Sequence, residues 1–424
     1  MTSTHDEHDT HETDAAPAPA RPLSAEFRKL WGAFAVSGIG DGIRITALPL
    51  MAAALTGDPR QVALVATFER LPWLLFALVG GAVADRVDRR LLMIGVDVLR
   101  FALVAGFLAL AFTDALTAVT LYAVAFLLGV TDTFYDTASQ AMIPSTVAKD
   151  SLERANSKLF ATSVVNLSFA GPVLGAWLFS FDRHSPFLVD ALSFLLSAAL
   201  LLRIPAGPRG FRPEPRPGTE PAGWLGQIRA GLSFLLHHPV LRILTLMVTL
   251  LSLAGSMAVS VLVLYATRTL GLSDTGYGWL IAGSAVGSLV GSGVASRLSA
   301  RFGWGAALTV SVFGAGASFL LAGTIRNPFA VAAFLALNGA TVVMWNVLTA
   351  AKRQELVPDE LRGKAAGAYR LAAWGIMPVG SATGGFLAAH TALAVPMTTG
   401  GAILLLAGVL SLRLGAADRA ARTA

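Results

Sequence analysis

The sequence has no cysteine in 424 residues, which excludes a disulfide framework, thiolate metal sites and a cysteine nucleophile. Charge is scarce as well: Asp, Glu, Lys and Arg make up 14% of the chain, where a water-soluble domain carries about a quarter. With 54% apolar residues and a mean hydropathy of +0.65, a chain this long has more apolar surface than one soluble core can hide. Its solvent is lipid. Other absences remove enzyme classes. There is no Gly-x4-Gly-Lys-Ser/Thr loop to cradle phosphates for direct ATP drive, no His-Glu-x-x-His zinc pattern and no Gly-x-Ser-x-Gly elbow. No polar stretch is long enough for a catalytic domain. No catalytic residue, metal or cofactor is therefore expected.

Net charge is +6, but the basic residues fall in short loops between apolar runs rather than in one stripe, so they report membrane topology and not nucleic-acid binding. Met1 to Ala20 is acidic and Pro/Ala-rich, with no basic stretch leading into an apolar core. No signal peptide is expected, and residues 1–27 read as a disordered tail. His5, His8 and His11 have a metal-like spacing, yet a solubilising tail is the better reading without a fold to hold them.

Apolar runs long enough to cross ~30 Å of hydrocarbon begin near Trp31, Gln61, Leu91, Leu116, Lys158 and Pro186, and again near Val240, Tyr277, Trp304, Pro328, Ala365 and Ala392. An all-α integral membrane protein with twelve spans follows. Alternate loops are rich in Lys and Arg, among them Arg86, Arg89, Arg90, Lys149, Arg154, Arg353 and Lys364, whereas the intervening loops offer only Arg60, Arg183, Arg268 and Arg326. The positive-inside rule then places both termini in the cytoplasm. Between the halves, prolines from Pro205 to Pro221 precede helical apolar spacing at Trp224, Leu225, Ile228, Leu232, Leu235 and Leu236, a linker followed by an amphipathic surface helix. The expected divisions are 28–203 and 240–414 for two six-helix bundles, 204–239 for the linker and 415–424 for a C-terminal tail.

Sliding one half on the other by about 210 residues superposes Ala82-Val83-Ala84-Asp85-Arg86 on Gly293-Val294-Ala295-Ser296-Arg297, and at nearly the same offset Gly171 meets Gly380 and Gly175 meets Gly384. Parallel six-span repeats characterise a transporter architecture in which two pseudo-symmetric bundles rock about a midplane site. The stretch from Gly81 through Asp85, Arg86, Arg89 and Arg90 resembles motif A of the major facilitator superfamily, with Val83 in place of Leu and Asp88 in place of Gly. "IPSTVAKDSLERANS", "GPVLGAWL" and "GLSFLLHHPVLRIL" look like the branch containing the enterobactin exporter and macrolide efflux pumps. That resemblance implies proton-driven export from the inner (plasma) membrane. Gly171, Pro172 and Gly175 are similar to the core of the antiporter motif C, where a kinked fifth helix limits proton leak; ordinary small-residue packing is the competing reading.

Asp85 with Arg86, Arg89 and Arg90 reads as a latch that forms in one conformation and breaks in the other, against a purely topogenic role for the arginines. Asp97 and Arg100 are one turn apart, as are Asp132 and Asp136; the first pair is expected to neutralise one another and to extend the Asp85 network toward Asp132 and Asp136, a structural and gating role. Asp41 and Arg44 fall ~15–20 Å into the first helix, where ionisable groups are costly and usually functional. Asp41 is a candidate proton carrier, or else one half of a permanent salt bridge, since desolvation and Arg44 act on it in opposite senses. Glu69 is the second candidate, with an outer gate as its alternative. Asp41, Arg44, Asn166, Asn338, Trp345, Asn346, Arg370 and Trp374 are candidate cavity residues suited to an amphipathic organic molecule. The expected partners are a small-molecule substrate, protons and membrane lipids, with a functional monomer. Uptake of a metabolite, or a receptor or lipid-handling role without coupled flux, are the alternatives to export.

Because the chain has no cysteine of its own, topology can be read directly. Arg183→Cys or Arg326→Cys is expected to react with an impermeant maleimide on intact cells, and Lys149→Cys or Lys352→Cys only after permeabilisation; labelling in the reverse sense rejects the orientation.

Overall fold

The computed structural model describes residues 23–205, 211 and 224–423. The histidine-bearing tail and most of the proline-rich linker lie outside them. No strand occurs among the described residues. The first half consists of α1 (Ala25–Leu55), α2 (Pro59–Ala84), α3 (Arg89–Phe112), α4 (Ala118–Met142), α5 (Leu152–Phe181) and α6 (Ser185–Leu202). After α7 (Trp224–His237), the second half runs through α8 (Pro239–Ser260), α9 (Asp274–Phe302), α10 (Trp304–Thr324), α11 (Pro328–Leu356), α12 (Asp359–His390) and α13 (Val395–Thr423). Eleven of these are long and apolar enough to cross a membrane. The twelfth member of the bundles is α2, whose 26 residues reach ~39 Å at 1.5 Å per residue. Large apolar side chains such as Leu192, Leu289 and Leu406 are exposed on the outside, as lipid-facing surface requires.

Short polar caps fix where the helices start. Asp58, Asp88, Thr117, Ser273 and Asn327 each accept a hydrogen bond from a backbone N–H in the first turn that follows, satisfying donors that would otherwise be orphaned. Asp58 is also gripped by Arg60, with Nη2 to Oδ2 at 2.8 Å, and these bonds hold its carboxyl below the usual carboxylate range. Ser24 caps α1, so the first span begins six residues before the expected Trp31 and inside the stretch expected as tail. At the other end α13 stays helical to Thr423, through most of the stretch expected as a C-terminal tail. The amphipathic helix α7 exists. It seats Gly231 against the Lys364 carbonyl and buries Leu235 in the second bundle, while Leu232 and Leu236 face out.

In α5, the Gly171–Pro172 pair coincides with a π-helical segment, Val165–Ala170, in which the Gly171 N–H reaches back to the Asn166 carbonyl. Proline cannot donate to the helix ladder and crowds the carbonyl four residues earlier, and a wider turn ahead of it accommodates both effects. This segment abuts α1: a Cβ on Gly42 would collide with the Asn166 carbonyl, and one on Gly175 with that of Ile43. The second half repeats the device, with Gly384 against the Met257 carbonyl of α8. In the same way Gly287 and Gly291 of α9 lie against the Ala336 and Ala340 carbonyls of α11, the small-residue contact that lets membrane helices approach closely.

The termini-bearing side of the molecule differs from the opposite side. One apolar core takes residues from both halves, from Leu50 and Phe107 to Tyr277 and Leu404. Two further cores belong to single halves, around Met93 and Tyr135 in the first and around Leu308 and Trp345 in the second. On the side away from the termini the halves are locked: Gly278 sits on the Pro172 carbonyl and Ala176, Gly385 on Ala63 and the Pro59 carbonyl, and Arg268 donates to the Gly57 carbonyl at 2.8 Å. The bundles separate towards the termini.

Gly42→Ala forces α1 off α5, and overpacking of this kind costs about 1–3 kcal/mol. It is expected to lower the unfolding midpoint in detergent, whereas Gly106→Ala, with no neighbour within 4 Å, leaves it within error. Equal midpoints for the two variants reject the close-packing account.

Candidate functional site

Arg44 of α1, 1% exposed, is the centre of the first half. Its guanidinium lies 2.9 Å from Asp41, 3.0 Å from Asp132 of α4 and 3.5 Å from both Glu69 of α2 and Asp190 of α6. Asp132 bridges onward to Arg100 of α3 at 2.6 Å, and Arg100 lies 3.7 Å from Asp97. The Arg100 guanidinium is also sandwiched over the rings of Tyr135 and Phe194, at 4.6 and 5.3 Å. Five helices thus meet at one node. The sixth, α5, is tied to α1 by Asn166, whose amide donates to the Ala35 carbonyl at 2.7 Å. At an effective dielectric of about 20, each contact near 3 Å supplies on the order of 5 kcal/mol of attraction, set against a desolvation cost of several kcal/mol per ion.

The node is unbalanced. Five carboxylates (Asp41, Glu69, Asp97, Asp132 and Asp190) face two guanidiniums, so full ionisation would leave three uncompensated negative charges at membrane depth. Asp97 and Asp190 are fully buried, and neither carboxyl makes a hydrogen bond of good geometry. The Asp41, Glu69 and Asp132 side chains keep 20, 19 and 23% of their surface accessible, so water reaches these three and not the other two.

Several expectations about the first half change. Asp97 and Arg100 pair with one another and Arg100 reaches Asp132, as their spacing suggested, but this network runs to Arg44 and not to Asp85. Among the described residues the ion-pair partner of Asp85 is Arg89 alone, at 3.7 Å, and the Asp85 side chain is 73% exposed. Asp136, one turn beyond Asp132, forms no ion pair among the described residues and feels Asp132 and Arg100 only through space. Glu69 of α2 pairs with an arginine of another helix, Arg44 of α1, at 3.5 Å. The motif arginines cap helix ends: Arg89 donates to the Ala84 and Ala141 carbonyls, closing α2 and α4, and Arg90 to those of Leu201 and Leu202, closing α6. Arg86 is exposed, and Gly81 has nothing near its missing Cβ. Asp88, the departure from the motif's usual glycine, caps α3 and accepts from the Phe211 N–H at 3.0 Å.

The second half holds a cavity of about 760 Å³, within the range that suits a drug-sized ligand. Asn338, Trp345, Asn346, Arg370 and Trp374 line it, together with Ser252, Arg353 and Tyr369. Asp41, Arg44 and Asn166 do not; they are packed inside the first bundle. That bundle contributes only Ala66 and Arg70 of α2 to the wall. The lining extends to Gln354, Val357 and Arg362, at the termini-side ends of α11 and α12. Towards the locked side, Trp374 meets Trp73 edge-on at 4.8 Å. Asp190, Arg70 and Arg353 were missed in the sequence. The intramembrane-charge rule that flagged Asp41 applies equally to Asp190, the one ionisable residue within α6.

The family described as transmembrane secretion effector matches residues 17–422. The chain belongs to that family, within the major facilitator superfamily. Its relatives include an uncharacterised major-facilitator-type transporter of Bacillus subtilis, 27% identical over 396 residues covering 89% of this chain and 90% of that one. The enterobactin exporter of Escherichia coli is 26% identical over 391 residues, 91% of each chain. Among solved structures, a bacterial homologue of the iron transporter ferroportin in its inward-facing state superposes with a TM-score of 0.75 at 16% identity, over 92% of this chain and 98% of that one. A bacterial homologue of the human lysosomal transporter Spinster, inward-facing and unoccupied, gives 0.71 at 14%, over 93% and 97%. At such identities the likeness is one of fold. This major facilitator protein is a multi-pass membrane transporter with twelve spans in two bundles, its ion node in one and its main cavity wall in the other.

Removing Arg44 strands the carboxylates around it, and breaking a buried pair costs about 3–5 kcal/mol. Arg44→Met is therefore expected to unfold well below the parent, and Asp190→Asn alone to change little. The double variant should recover on the order of 1–2 kcal/mol, because one stranded charge is gone. A strictly additive double variant rejects the direct coupling.

Proposed function

We propose that the protein exports amphipathic small molecules across the inner (plasma) membrane in exchange for protons, working as a monomer with both termini in the cytoplasm. The observation that carries this reading is the excess of carboxylates at the Arg44 node. Charges buried in hydrocarbon are tolerated when compensated, and here protons are the available compensation for what two guanidiniums leave over. Asp41 and Glu69 are the exchangeable sites, since water reaches them, and Asp132 passes their charge state to Arg100. The cavity lining reaches the termini-side ends of α11 and α12, the side from which an exporter loads. Export is also what the name of the enterobactin exporter of Escherichia coli states for that relative.

Alternating access then works on the two-sided packing. Closing the termini side requires the bundles to rock about the shared core, which brings Asp85 towards the second half. In this conformation Asp85 is free to do so, held only by Arg89 at 3.7 Å. Rocking also alters the water access of Asp41 and Glu69, whose side chains are about one-fifth accessible in this conformation. Proton binding and cavity orientation are thereby linked through one rigid unit.

Proteoliposomes with the termini-side face outward test the coupling. An acidic lumen is expected to drive uptake of an amphipathic fluorophore several-fold over the no-gradient control. Asp41→Asn or Glu69→Gln is expected to abolish that stimulation while substrate-for-substrate exchange persists. Uptake indifferent to the pH gradient rejects proton coupling, and accumulation driven only in the opposite sense rejects export.

A further inference from the structure

The cavity wall has an electrostatic asymmetry that the transport reading does not use. Four arginines line it, Arg70, Arg353, Arg362 and Arg370, and not one carboxylate. Arg362 is neutralised by Asp359 at 2.8 Å. The other three have no carboxylate within 4.0 Å among the described residues. The acid next to Arg70, Glu69, makes its ion pair with Arg44 and meets Arg70 only through space. Arg353 is half-buried and lies over the Tyr369 ring at 3.6 Å, close enough to Arg370 for the two guanidiniums to repel. Like charges held together beside a half-apolar cavity raise the free energy of the empty site, and an anion relieves it.

The neutral donors point to the same chemistry. The Trp345 indole N–H and the Tyr369 hydroxyl are buried in the wall, near one another and near Thr349 but without a hydrogen bond of good geometry. The indole is a donor only, so it wants an acceptor. Around these donors lie apolar surfaces, Val248, Leu251 and the exposed face of Trp374.

We infer that this cavity selects amphipathic organic anions: Arg70, Arg353 and Arg370 take a carboxylate, sulfonate or phenolate head, and the Trp345, Tyr369 and Trp374 wall takes an aromatic or aliphatic body. The inference rests on the cavity being the transport site. It narrows the substrate class from any amphiphile to those bearing negative charge. Guanidinium forks match planar oxyanions in geometry as well as charge. Cationic amphiphiles meet three uncompensated positive charges and are rejected.

Three dansyl derivatives that share one fluorophore and differ in head group, a carboxylate, a primary amide and a quaternary ammonium, isolate the charge. Binding to the full chain in neutral-lipid nanodiscs is read by fluorescence titration, with no pH gradient present. The carboxylate is expected to bind at least tenfold more tightly than the amide, and the ammonium more weakly than either. Arg370→Gln and Arg70→Gln, both exposed side chains, should each reduce the carboxylate preference severalfold while leaving amide affinity near parental. Arg353→Lys keeps the charge and should retain more preference than Arg353→Gln. Arg301→Gln, outside the cavity, controls for net charge. Equal affinity for the three probes, or a preference for the ammonium, overturns the inference. Selective anion binding alongside flux that ignores the pH gradient upholds it and rejects only the coupling.

Discussion

Arg44 holds the first bundle together and at the same time keeps it from being inert. An arginine that deep in a membrane protein has to be surrounded by acceptors, and here they arrive from α1, α2, α4 and α6. The same convergence fixes the helices against one another. The glycine contacts follow from it: Gly40 of α1 leaves room for the Asp190 carboxyl and Ser193 of α6, and Gly129 lets α4 lie on the backbone of Glu69. Those positions need a missing side chain because the charged ones on neighbouring turns require close approach. Arg100 extends the arrangement by one layer, with aromatic faces where carboxylates run out.

The second bundle solves the same packing problem without charge. Its helices approach through glycine, alanine and serine, with Gly339 against the Ser284 carbonyl and Ser318 taking the Asn338 amide at 3.1 Å. No acidic residue stands in its copy of the loop motif, where Ser296 replaces the aspartate. Its arginines Arg353 and Arg370 consequently carry no helix-packing ion pair among the described residues and remain for the cavity. Two halves with one ancestry of pattern thus carry different chemistry, and the shared apolar core between them is what makes them one mechanical object.

Much of this was legible in the sequence. Eleven of the spans and their order follow from hydropathy alone, and the motif from Gly81 to Arg90 identifies the superfamily. Asp41, Arg44 and Glu69 stood out because ionisable residues in oily runs are conspicuous. Their partners did not follow, because which face a helix turns to which neighbour is a tertiary fact: Asp132 was assigned to the latch through its loop-side neighbours, and the structure gives it to Arg44 and Arg100. Asp190 escaped because it has no basic residue one turn away to mark a pair. The one-sided cavity was unpredictable in the same sense, since both bundles offer polar residues and only their relative tilt decides which face a void. The helix boundaries moved where capping overrode hydropathy, at Ser24, or where helix simply continues past the apolar run, at Thr423.

Separate placement of the ion node and the cavity wall has an evolutionary consequence. Substitutions on α8, α11 and α12 can retune the shape and polarity of the void without touching any residue that Arg44 or Arg100 contacts. Such a chain is free to change what the cavity accepts by drift in one half while the ion node in the other stays under constraint.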